Sequence, residues 1–111
     1  MTTVTLLYNR DRELTGYRFA GHAGAEDKGQ DIVCASLSML AINTANALES
    51  LTETPVQIVA DEKEATLDVT VQESPDERAA TLLQALELAC RQLQEDPEYH
   101  PYVTIVREDI D

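Results

Sequence analysis

The chain has 111 residues, 43% of them hydrophobic and 26% charged, which suits one domain over 1–111 just large enough to hold its own core. Eight basic against 21 acidic residues give a net charge of −13, a surface that repels phosphate backbones and anionic lipid and so excludes the usual nucleic-acid and membrane binders. No window reaches the roughly 20 apolar residues that span a bilayer, and Met1-Thr2-Thr3-Val4 lacks the parts of a signal peptide, so a cytoplasmic protein with free thiols is expected.

Val4, Leu6 and Tyr8 alternate with Thr3, Thr5 and Leu7. After the polar stretch Asn9-Arg10-Asp11-Arg12-Glu13, a second run from Leu14 to Ala20 carries Tyr17 and Phe19 on one face. Period-two alternation around a polar turn predicts a β-hairpin. Next come small residues, Gly21-His22-Ala23-Gly24, in front of Glu26-Asp27-Lys28 and Gly29-Gln30. With no apolar side chain larger than alanine, the segment Ala23 to Gln30 has little to bury, and its glycines Gly24 and Gly29 suit a mobile loop that gates a substrate.

Asp31 reads as the N-cap of a long helix with Val33, Leu37, Leu40, Thr44, Ala47, Leu48 and Leu51 at helical spacing, ended by about residue 53 before Pro55. From Ile32 to Leu48 this helix has 17 residues and no charge. A surface helix normally carries charge on its outer face, so cover is expected on more than one side, from the sheet, a second helix or another copy of the chain. Val56 and Ile58, then Leu67, Val69 and Val71, form a second hairpin around Asp61-Glu62-Lys63-Glu64. Ser74-Pro75-Asp76-Glu77 starts a second helix, with a cap, proline in the first turn and an acidic residue three places on. Its apolar stripe is Ala79, Leu82, Leu83, Leu86, Cys90 and Leu93, and it stops before Pro97. A last strand, Tyr102 to Val106, completes the order ββαββαβ. The expected fold is α/β of the α+β kind, an approximately five-stranded, largely antiparallel mixed sheet with two packed helices.

Chemistry concentrates around His22 and Cys34. A cysteine in the first turn after the Asp31 cap would meet unpaired N–H groups and the positive end of the helix dipole, which favour the thiolate. A strand ending at His22 could bring an imidazole to that thiol, the pairing nucleophilic thiol catalysis needs. The bland alternative for any free cysteine is a small buried hydrophobe, and Cys90, on an apolar stripe, is read that way. Asp31 has two compatible roles, capping the helix and orienting His22. Ser38, one turn beyond Cys34, either bonds near the thiol or allows close helix packing. His100 is expected to be exposed in a loop. Gly21, Gly24 and Gly29 have neither dinucleotide nor P-loop spacing, and two histidines and two cysteines this scattered make no zinc site, so no metal or cofactor is expected.

The run Gly21-His22-Ala23, a glycine-containing gap, and Gly29-Gln30-Asp31-Ile32-Val33-Cys34-Ala35-Ser36-Leu37-Ser38 resembles the signature of the bacterial ribosomal-processing cysteine proteases, the Prp family. The resemblance extends over essentially the whole chain. It departs mildly at Ser36, where the family more often has alanine, and at Leu37, more often valine or isoleucine. It implies a small cytoplasmic endopeptidase, found as a homodimer, that uses a His22–Cys34 dyad. The implied substrate is a large-subunit ribosomal protein whose short N-terminal extension is removed after a bulky apolar or aromatic residue and before a small one. Ribosomal proteins are basic, and this chain's acidity is lopsided: residues 1–51 hold four basic and six acidic groups, residues 52–111 four and fifteen. The alternative reading is a non-enzymatic acidic partner of such a basic protein, with Cys34 merely buried. A redox sensor ranks last, because there is no C-x-x-C pair.

Overall fold

The computed structural model describes residues 1–21 and 28–110, with the side chains of 28–31 excepted. Among these residues the order is β1 (Thr2–Tyr8), β2 (Leu14–Gly21), α1 (Lys28–Leu51), β3 (Val56–Asp61), β4 (Thr66–Val71), α2 (Glu77–Glu95), a single 3₁₀ turn (His100–Tyr102) and β5 (Val103–Asp109). The strands form one sheet in the order β3-β4-β2-β1-β5, antiparallel except for the parallel pair β1–β5. This is the expected ββαββαβ mixed sheet with two helices.

The first hairpin closes where its polar turn predicts. Asn9 Oδ1 accepts from the backbone N–H groups of Asp11 and Glu13, at 2.9 Å each, and Arg12 adopts a left-handed φ of 63°. Val4 faces Phe19 and Leu6 faces Tyr17 across the strand pair, so the alternating residues of both strands meet on one side. Both helices pack against that side, and the core joins Val4, Leu6, Tyr17 and Phe19 to Val33, Leu37 and Leu48 of α1 and to Leu83, Leu86 and Cys90 of α2. The Tyr17 hydroxyl reaches through the core and donates to the Ala41 carbonyl at 2.8 Å, pinning α1 to the middle of the sheet. The opposite face carries polar groups such as the Arg18–Asp68 pair, at 2.9 Å.

Three boundaries differ from the sequence reading, each for a local reason. α1 begins at Lys28, so Asp31 is its fourth residue rather than its cap, and Gly29 belongs to the helix rather than to a loop. Gly24 lies outside the described residues. α2 is capped by Asp76 instead of Ser74, because the Asp76 carboxylate accepts from the Ala79 N–H at 2.8 Å. β5 starts at Val103, since Tyr102 is taken into the 3₁₀ turn behind Pro101.

α1 also corrects the expectation that no window is long and apolar enough to span a bilayer. Ile32–Leu51 is long and apolar enough to cross a membrane, at a mean hydropathy of 1.3. Here one face of that stretch forms the core, through Val33, Leu37, Ala41, Ala45 and Leu48.

Candidate active site

Cys34 is the seventh residue of α1, on the face turned toward the sheet, and is 5% exposed. That position corrects one physical expectation. The unpaired N–H groups of a helix belong to its first four residues, here 28–31, and the dipole acts within the first turn. Cys34 stands a turn further on, so its surroundings depend on what the sheet brings to it. The sheet brings Thr2, whose Oγ1 lies 3.3 Å from the Cys34 sulfur.

An open cavity of about 320 Å³ adjoins the thiol, between α1 and the sheet edge formed by the β3–β4 turn. Its walls are apolar at Phe19, Leu37, Ile42 and Leu67, and its rim is acidic at Asp61 and Glu62. Cys34 and Ser38, one helical turn apart, both line it. So does Gly21, the last residue of β2, after which the chain passes directly into His22. A side chain at Gly21 is sterically barred, since a Cβ there would stand 2.7 Å from the Met1 carbonyl oxygen and 2.9 Å from Thr2 Cα.

Of the residues singled out from sequence, the structure therefore brings together Cys34, Ser38 and the strand end that precedes His22. His22 itself, and the Asp31 side chain proposed to orient it, lie outside the described residues. His100 is exposed in the 3₁₀ turn and does not line the cavity. Cys90 is fully buried, and burial, reinforced by the neighbouring Glu87 carboxylate, pushes its thiol up to about 12. It is the structural cysteine its stripe position predicts. Among the described residues no cluster of three His, Cys, Asp or Glu side chains could hold a metal ion.

Sequence reasoning missed Thr2 and the acidic turn. Thr2 was legible: the alternation that turns Val4 and Leu6 inward continues back to it. Asp61 and Glu62 reach the cavity only because β4 pairs with β2, a long-range register that local pattern does not encode.

Known proteins share the sequence pattern and the fold. Residues 1–104 match the family model described as Cysteine protease Prp. The ribosomal processing cysteine protease Prp of Staphylococcus aureus is 26% identical over 96 residues, covering 86% of this chain and 91% of that protein. A crystal structure of the S. aureus protease with a covalently linked product peptide has a TM-score of 0.83 at 25% identity, over 97% of this chain and all of the other. A Streptococcus mutans crystal structure reaches 0.85 at 28% identity, over 99% of both chains. With the family model matched over nearly its full length, the chain belongs to the Prp family of cysteine proteases.

Proposed function

We propose that this protease removes the N-terminal extension of a large-subunit ribosomal protein, with Cys34 as nucleophile and His22 as its base. The observation that carries the reading is the convergence of Cys34 and the β2 end that leads into His22 on one cavity. His22 takes the Cys34 thiol proton as the sulfur attacks the scissile carbonyl, gives that proton to the leaving amine as the C–N bond breaks, and then takes a proton from the water that cleaves the thioester, releasing the carboxyl product and returning the proton to sulfur. The apolar wall suits the bulky residue before the cut, and the acidic rim at Asp61 and Glu62 suits a basic polypeptide. Support for the substrate class comes from the S. aureus relative, which is named for ribosomal processing. The reading includes a cytoplasmic location and a homodimer formed through the uncharged outer face of α1.

The test is incubation with a ribosomal protein bearing its N-terminal extension, read by intact mass. The wild type yields one cut, Cys34→Ala yields none while remaining folded, and His22→Ala is slower by roughly 10²-fold or more. Cleavage that survives Cys34→Ala, or a His22→Ala rate equal to wild type, removes that residue from the mechanism.

A further inference from the structure

We propose that Thr2 is a positioning residue for the Cys34 thiol, its hydroxyl donating to the sulfur when this is ionised and so holding the thiolate toward the cavity. The proposal rests on the reading of Cys34 as nucleophile.

Thr2 opens β1 yet is held as firmly as a central residue, because it pairs with Gly21 of β2 on one side and Val103 of β5 on the other. Its side chain is 6% exposed and faces the helices, in line with Val4 and Leu6. A β-branched side chain on a backbone fixed by two ladders has little rotamer freedom, so its Oγ1 is set in place before substrate arrives. That oxygen lies 3.3 Å from Cys34 Sγ, one of the contacts this cysteine makes.

A hydroxyl carries one hydrogen and two lone pairs, so it can accept from a thiol and, after rotation, donate to a thiolate. The second bond is charge-assisted and the stronger of the two. Thr2 is therefore placed to hold the reacting sulfur in position, at a depth in α1 where the helix terminus no longer acts directly. Gly21 protects the contact: a Cβ there would come within 3.1 Å of Thr2 Oγ1 as well as striking the β1 backbone. The residue that leads into His22 is thus also the one that leaves room for the hydroxyl on Cys34.

Two substitutions divide the hydroxyl from the shape of the side chain. Thr2→Val keeps the volume and loses the hydroxyl, whereas Thr2→Ser keeps the hydroxyl and loses the methyl. Alkylation of Cys34 by iodoacetamide at neutral pH, followed by the mass of the Cys34 peptide, reads thiol reactivity without any substrate. Thr2→Val should slow alkylation and kcat by roughly tenfold with KM little changed, and Thr2→Ser should restore both to within about threefold of wild type. Melting curves accompany each variant, and if valine disturbs folding, Thr2→Ala must show the same slowing. Wild-type alkylation in Thr2→Val, or a Thr2→Ser variant as slow as Thr2→Val, would reduce Thr2 to a packing role and overturn the proposal. Should alkylation follow the expected order while no variant, wild type included, cuts the ribosomal substrate, the substrate reading fails and the role of Thr2 stands.

Discussion

Cys34 and Cys90 are the same group in opposite settings. Both are buried and carry reduced thiols, yet Cys34 touches a hydroxyl and borders a cavity, whereas Cys90 is enclosed among Leu83, Leu86 and the sheet. With its thiol pushed up to about 12, Cys90 stays protonated and unreactive at neutral pH. Cys90→Ala should leave cleavage and Cys34 alkylation unchanged. It should lower stability by about 1–3 kcal/mol in urea unfolding, through the lost sulfur and the cavity left behind. Loss of turnover in a folded Cys90→Ala protein would give that cysteine a part the structure does not suggest. Helical periodicity alone cannot tell the two apart, because Cys34 also lies on an inward stripe, between Val33 and Leu37.

Two contacts set the helices on the sheet. Tyr17 donates from β2 to the Ala41 carbonyl, and burial keeps its hydroxyl protonated far above the ordinary tyrosine range. Tyr17→Phe should cost about 1 kcal/mol by urea unfolding, the usual net worth of such a bond. Turnover should fall as well, since α1 carries Cys34; an unaltered rate and stability would show that core packing alone places the helix. At the other end, Asp76 caps α2 and also accepts from the Glu53 N–H at 3.0 Å, while its own N–H donates to Thr54 Oγ1 at 2.9 Å. The Ser74-Pro75 pattern resembles a cap, but only the Asp76 carboxylate serves both the helix and the segment that follows α1. Those donors, the Ala79 N–H foremost, hold the Asp76 carboxyl below its usual range. A carboxyl depressed in the folded state stabilises above its unfolded value, about pH 4, and that contribution is lost as pH falls through the folded value. Asp76→Ala should therefore lower the melting temperature at pH 7 and narrow its gap to wild type in strong acid. A gap that is constant with pH would mean that the carboxylate charge contributes nothing.

At the scale of the whole molecule, α1 covers only one of its sides. Ile32 and Met39 are exposed on its outer face, Met39 at 68%, although the uncharged run had suggested cover on more than one side, and Leu51, expected on the inward stripe, is exposed at the end of the helix. Sheet and second helix supply the inner cover, and the proposed second copy supplies the outer one. Met39→Asp should then turn a sedimenting dimer into a folded monomer, because a charge placed in an apolar interface is left unpaired. A wild type that sediments as a monomer at all concentrations would remove the dimer from the proposed function.

By itself the sequence determined element type and order and most of the core. These follow from local terms, since period-two runs such as Val4-Thr5-Leu6, the stripe from Ala79 to Cys90 and the turn at Asn9 each act over a few residues. Tertiary structure alone decided what surrounds the thiol. The α1 start at Lys28 moved Cys34 beyond its first turn, and β1, paired on both sides, delivered Thr2 from 32 residues away. The β2–β4 pairing carried Asp61 and Glu62 to the cavity rim. Such neighbours depend on strand register and chain crossover, which are set by the summed packing of the whole core and leave no mark on any short window of sequence.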